Sequence, residues 1–217
     1  MKVVQCWDDG VDDDVRLIEI LRKHGAKASF NLNAAQHTAK RTSGWKYKDI
    51  KPVWKLSAGE LVEVYRGFTI ANHTATHPFL TRIPLAQAER EIRQGKDRLE
   101  QIFGTEVPGF AYPFGDANPD VEELVRSAGH VYARTTGRTQ SVFPCANAMA
   151  LHPSCHFLDP DFWELFDAVK GKDGVFYFWG HSYEMIEDSE WENFDAKIAR
   201  ITADPAVTWT DLPELFR

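Results

Sequence analysis

Two histidines four residues apart bracket the stretch His73-Thr74-Ala75-Thr76-His77-Pro78. Imidazoles at that spacing face one point in space if the chain between them makes a single turn. Neutral imidazole is the commonest protein ligand for zinc-like metals. Pro78 disfavours helical backbone at His77, so the turn should stop there. By itself the pair fits two histidines lining a loop equally well. A second feature is Asp8-Asp9-Gly10. Adjacent carboxylates repel, so a fold that keeps them together needs a cation or a proton nearby. One carboxylate with two imidazoles is a common ligand set for a catalytic metal and leaves positions for water and substrate. The other carboxylate can then take a proton from activated water. A separate histidine can protonate a leaving group, and a turn with a free backbone N–H can hold an oxyanion.

The elements that would position these groups follow from the apolar pattern. Residues 2–7 read as a strand ending at Asp8-Asp9. A helix follows with Val15, Leu17, Ile18 and Leu21 inward and Gly25 as its stop. Asp12, Asp13 and Asp14 fall in its first turn, where the helix dipole favours negative charge. They are read as helix-start residues, not ligands. Residues 28–32 form a second strand. Residues 34–55 are polar and irregular, a long loop of the kind that carries function or disorder. Ser57 caps a short helix through Tyr65, and residues 67–71 form a third strand that ends at the histidine pair. A helix from Pro84 carries an apolar stripe through Ile102 and stops at Gly104. Strands at 109–112 and 130–133, with a helix at 119–128 between them, end at Pro113-Phe114-Gly115 and at Arg134. An extended stretch lies near 150–156, and a helix spans Phe162 to Val169. The apolar strand 175–179 ends at Gly180-His181-Ser182. A helix over 191–201, a short strand over 207–209 and a terminal helical turn complete the chain.

Such alternation means parallel strands with right-handed crossover helices, which can close into a barrel. Asp8, Asp9, His73, His77, Phe114, Arg134 and His181 all follow a strand, and in a β/α barrel such positions meet at one rim. The chain has 217 residues and no internal repeat or linker, so a single domain over 1–217 is expected.

Charge and composition narrow the partners. With a formal charge of −7 and no run of Lys or Arg, nucleic acid and an anionic membrane surface are disfavoured as the main partner. Seven Trp serve mainly as core, and several could wall a sugar site. Three cysteines, with no CxxC pair, exclude a disulfide framework. No transmembrane segment is present. The first residues run straight into a strand, so cytoplasmic residence is expected unless a leader has been removed. His24, His37, His130, His152 and His156 are read as structural or surface residues. Ser182 lacks the surrounding G-x-S-x-G elbow and is not a nucleophile. The pattern carries no signal of oligomeric state.

Four motifs together resemble those of the polysaccharide deacetylase family, the NodB-homology or carbohydrate esterase family 4 enzymes. They are Trp7-Asp8-Asp9-Gly10, His73-Thr74-Ala75-Thr76-His77-Pro78, Phe110-Ala111-Tyr112-Pro113-Phe114-Gly115 and Gly180-His181-Ser182, in the family's order. The resemblance implies an α/β fold, a deformed (β/α)7-8 TIM-like barrel of NodB type. It also implies a metal-dependent hydrolase that removes acetyl groups from an acetylated carbohydrate. Asp9, His73 and His77 would bind the divalent metal, Zn2+ first, with Co2+, Ni2+ or Fe2+ as substitutes. Asp8 would be the base, His181 the acid, and the Phe114 N–H an oxyanion donor. Many members carry an arginine where this chain has Ala111, so Arg134 is expected to pair with Asp8 instead. Asp159, Glu184 and Asp188 are candidates to support His181, with Glu184 preferred. The alternatives are hydrolysis of another non-peptide C–N bond, such as a small amide or cyclic imide, and a non-catalytic carbohydrate-binding relative.

Overall fold

The computed structural model describes residues 1–217. Seven strands form one curled parallel sheet: β1 (Lys2–Asp8), β2 (Ser29–Leu32), β5 (Thr69–Asn72), β6 (Gly109–Ala111), β7 (Tyr132–Arg134), β8 (Cys155–His156) and β9 (Val175–Gly180). Their order is β7-β6-β5-β2-β1-β9-β8, and the short β10 (Thr208–Trp209) pairs with the N-terminal end of β1. A single parallel bridge between Arg134 and Leu151 ties the β7 edge to the segment that leads into β8. The ring is therefore drawn together by a bridge instead of a full ladder, which makes it a deformed barrel.

The helices α1 (Asp14–Lys23), α2 (Leu61–Val64), α3 (Leu85–Phe103), α4 (Pro119–Ser127), α5 (Phe162–Lys170) and α6 (Asp188–Ala203) accompany the strands. Strand alternation divides the side chains. Val3, Trp7, Phe30, Phe176 and Phe178 join the large core that includes Leu17, Ile18, Phe162, Phe194 and Ile198 from the helices. Val4, Cys6, Tyr132 and Tyr177 form a second core with Leu151 and with Leu212 and Leu215 from the C-terminal turn. On β1 the second face runs Val4, Cys6, Asp8; on β7 it runs Tyr132, Arg134; on β9 it continues Tyr177, Trp179, His181. The same two-residue period that fills the inner core thus delivers an acid, a guanidinium and an imidazole to its C-terminal mouth.

Residues 34–55 depart from the expected irregular loop. β3 (Thr42–Tyr47) and β4 (Lys51–Lys55) pair as an antiparallel hairpin. The register slips between Ser43 and Trp45, so the period-2 pattern breaks at Gly44. The turn is Lys48-Asp49, with left-handed φ values of 50° and 58°, where Asn-Gly would be the usual signal. Those two features hide the hairpin from a reading of the pattern. Its inner face places Val53 in a small cluster with Val11 and Tyr183. Other differences lie at element ends. The expected short helix begins later: the Ser57 hydroxyl and N–H both donate to Glu60, and α2 spans only one turn, ending just before Tyr65. The strand at 130–133 starts two residues later, at Tyr132.

Candidate active site

β1 ends at Asp8, and the chain turns at once: Asp9 and Gly10 have φ of 85° and 66°. That left-handed step aims the two adjacent carboxylates at different partners. Asp8 is buried. Asn31 Nδ2 donates to its Oδ1 at 2.6 Å, and Arg134 Nη2 donates to its Oδ2. Burial alone would raise the Asp8 pKa, but the charges of Arg134 and His181 and the Asn31 hydrogen bond outweigh it and hold the carboxyl below its usual range. The Arg134 guanidinium lies 4.8 Å from the Trp179 ring centroid. The expected Asp8 partner is therefore in place, delivered by β7 where the sequence carries Ala111 on β6.

Asp9 faces Lys55, a residue to which no motif points. Lys55 Nζ donates to the Asp9 backbone oxygen at 2.6 Å and to Asn33 Oδ1 at 2.9 Å, and it lies 3.3 Å from Asp9 Oδ1. The position follows from β4, which bridges Val11 and hydrogen-bonds through Leu56 N to Gly10 O. Lys55, with the His181 imidazolium, holds Asp9 ionised against the cost of its burial.

The histidine pair is not set on a helical turn. Thr74 and His77 take φ of 67° and 66°. His77 N donates to Thr74 Oγ1 at 2.9 Å, and Asn72 Oδ1 accepts from Thr74 N at 3.0 Å, which shapes the loop. His73 Nδ1 lies 2.7 Å from Ala111 O, so Nδ1 carries the proton and Nε2 presents a lone pair. His77 Nε2 sits 3.1 Å from that atom and 3.9 Å from Asp9 Oδ1. Burial pushes both imidazoles down, His77 to about 3, so both are neutral at pH 7. Two lone-pair nitrogens and a carboxylate oxygen within 4.8 Å of one another fit a divalent cation. Zn2+ suits this donor set, as do the other borderline metals.

His181 Nε2 lies 3.8 Å from Asp8 Oδ2 and 3.9 Å from Asp9 Oδ2. Its Nδ1 faces Glu184 Oε2 at 3.3 Å. Burial opposes its charge, but Glu184, Asp8 and Asp9 prevail and raise the pKa. Asp159 donates no support to His181; it accepts from His156 N. Asp188 pairs with Arg16. His156 was expected to be structural or surface, yet its Nε2 reaches Glu184 Oε2 at 2.9 Å. Its Nδ1 accepts from Leu158 N, which leaves the proton on Nε2. Glu184 stands between two imidazoles that hold it ionised, at about 2, although burial would raise it. The Glu184–His181 half of the chain His156–Glu184–His181 matches the expectation; its His156 end carries no sequence signal, because Pro153 interrupts the His152/His156 spacing and the contact is made only through the pairing of β8 with β9.

Asp14, read as a helix-start residue, does begin α1, but its side chain is buried and binds the site together. It accepts from Ser182 Oγ at 2.5 Å, Tyr65 OH at 2.6 Å and Val11 N at 3.2 Å. The loop carrying His181 is thereby fastened to the turn carrying Asp9. Phe114 takes φ of 60° and stacks on Phe79 at 3.7 Å. The other histidines lie apart: His24 on Asp195, His37 on Leu56 O, His130 on Asn72 and His152 on Thr135.

Together these groups line a cavity of about 680 Å³, walled on one side by Trp45 and Tyr183 and on the other by Phe114. Such a volume admits a small sugar. No helix is long and apolar enough to cross a membrane.

The fold has close counterparts among solved structures, all of them distant in sequence. A Streptococcus pyogenes deacetylase, PplD, in complex with acetate matches at TM-score 0.56 and 20% identity, over 68% of this chain and 61% of that one. A Streptomyces lividans family 4 carbohydrate esterase in complex with acetate matches at 0.59 and 17%, over 95% and 90%. The Xyl-CE4 domain of a multidomain xylanase from the Trinervitermes trinervoides hindgut metagenome matches at 0.63 and 15%, over 99% and 89%. The chain thus spans under two thirds of the streptococcal protein's length. No curated protein matches it. The model of the polysaccharide deacetylase family matches residues 1–133, which carry both aspartates, the histidine pair and the Phe114 loop. With a barrel of that architecture and the motifs gathered at its mouth, the chain belongs to the polysaccharide deacetylase family.

Proposed function

We propose that this chain is a metal-dependent deacetylase that hydrolyses an acetyl group from an acetylated sugar. The observation that carries the reading is the division of labour between adjacent carboxylates: Asp9 faces two neutral imidazoles, while Asp8 is held ionised by Arg134 within 4.0 Å of His73 Nε2. A divalent ion held by Asp9, His73 and His77 would polarise the acetyl carbonyl and lower the pKa of water towards about 7.

The remaining steps fall to the chain's own side chains. Asp8 lies beside the trio and accepts the proton of the attacking water. Arg134 and Asn31 keep it in the orientation and charge state that this needs. The Phe114 N–H donates to the developing oxyanion from a turn whose left-handed backbone sets its direction. His181, charged through Glu184, protonates the departing amine or alcohol. Trp45, Trp179 and Phe114 offer apolar faces to the sugar ring and reduce the water around the reacting atoms.

Acetate release from a panel of N- and O-acetylated sugars, with and without a chelator, tests this. Release is expected only with metal restored, and Asp8→Asn and His181→Ala should each lower kcat by at least about 100-fold. Unchanged release in both variants would overturn the mechanism. Release of ammonia or an acid from a small amide or imide, with no acetate, would replace the substrate assignment.

A further inference from the structure

The β3–β4 hairpin carries a charge separation that the net charge conceals. Residues 40–55 hold six Lys or Arg against one acid, in a chain whose formal charge is −7. Arg41 is engaged by Glu60, Lys51 by Asp13 and Lys55 by Asp9. Lys40, Lys46 and Lys48 are exposed and enter no ion pair. The register puts Lys46, Pro52 and Trp54 on the outer face, away from the side that packs on Tyr183. Ile50, at the turn, is 70% exposed and Trp54 43%. Of the eight large apolar side chains exposed anywhere on the molecule, Trp45, Ile50 and Trp54 fall within this one hairpin. Lys48 also holds a left-handed φ of 50°, a conformation that gives lysine no local advantage.

We propose that the outer face of this hairpin docks on an anionic phospholipid bilayer, with Ile50 and Trp54 entering the headgroup boundary and Lys40, Lys46 and Lys48 facing the lipid charge. Complementary charge favours any polyanion, and an anionic bilayer also offers an apolar interior that takes up Ile50 and Trp54. Trp54 suits that boundary, where the ring buries its body and keeps its N–H wet. Trp45, on the hairpin's other face, lines the catalytic cavity. Docking therefore sets the cavity beside the membrane surface, where an acetylated sugar borne on a lipid headgroup would be presented. The binding itself does not depend on the catalytic proposal.

The test is co-sedimentation of the full chain with two kinds of vesicle, phosphatidylcholine alone and phosphatidylcholine mixed equally with phosphatidylglycerol. Binding is expected only to the anionic vesicles, and it should fall with added salt. Each lysine contributes about fivefold, so the double variant Lys46→Glu, Lys48→Glu should bind at least ~25-fold more weakly. The double variant Ile50→Ser, Trp54→Ser keeps every charge and should also bind several-fold more weakly. Both variants are expected to keep the parent melting temperature and the parent acetate release from a soluble sugar. Absence of binding to anionic vesicles would overturn the proposal. So would binding to dextran sulfate as tight as to vesicles with no loss in the Ile50→Ser, Trp54→Ser protein, since that would mark the face as a general polyanion site.

Discussion

Arg134 Nη2 binds Asp8 Oδ2 across 126 residues of sequence, both side chains buried at the mouth of the barrel. The pair supplies a fixed positive charge to the carboxylate from β7. Arg134→Met would leave a buried, unpaired charge on Asp8. A stability loss of about 3–5 kcal/mol in urea denaturation is expected. Adding Asp8→Asn to that variant should recover much of the loss, because the orphaned charge disappears. Full stability in the single variant would show that Asp8 is protonated in the fold.

Glu184 lies between His181 and His156, 2.9 Å from the latter. His156→Ala should lower kcat roughly tenfold with little change in KM, since the His156 ring does not line the cavity. His156→Gln keeps an amide donor for Glu184 and should restore most of the rate. Equal defects in both variants, or a defect confined to KM, would refute the positioning role.

Acid should destabilise the protein between pH 6.5 and about 4. Burial pushes His37 to about 4 and His130 to about 3, from an ordinary value of 6.5. In that window the unfolded chain binds protons that the folded chain refuses, so their contribution is complete above pH 6.5 and is lost as pH falls through the folded values. Asp14 runs the other way: burial raises it to about 7, so its contribution falls as pH rises from about 4 to 7. Unfolding free energies from urea titrations across the window should show a shallower pH slope in His130→Gln, by up to about 1.4 kcal/mol per pH unit, and a steeper one in Asp14→Asn.

Gly95 in α3 packs directly on the histidine loop. A Cβ there would lie 2.3 Å from Asn72 Oδ1 and 2.9 Å from the Thr74 carbonyl carbon. Replacing a mid-helix glycine by alanine ordinarily stabilises by up to about 1 kcal/mol. Here Gly95→Ala should destabilise by about 1–3 kcal/mol, because Asn72 must give up its bond to Thr74 N. Weaker zinc binding by isothermal titration is expected in the same variant, as the loop shift separates His73 from His77. A stabilised protein with parent zinc affinity would show that the helix can move away at no cost.

By itself the sequence determined the alternation of strands and helices, and the fact that Asp8, Asp9, His73, His77, Arg134 and His181 all fall at strand ends. Those features are local: apolar runs of period two, glycine and proline stops, and polar residues just beyond them. In a parallel barrel, strand-end positions converge whatever the rest of the chain does. The Arg134–Asp8 and Glu184–His181 pairs were expected from the sequence; only the tertiary structure decided the other partners. Lys55 reaches Asp9 because a bulged hairpin with an unusual turn lays β4 on the Gly10–Asp12 turn. His156 reaches Glu184 because β8 pairs with β9. Asp14, ordinary as a helix start, turns inward to bind Ser182 and Tyr65. The exposed basic face exists only after the hairpin has sorted its lysines from its inward aromatics. None of these leaves a periodic or motif signature: the contacts of Lys55, His156 and Asp14 join segments far apart in the chain, and the hairpin's local register is masked by its bulge and turn.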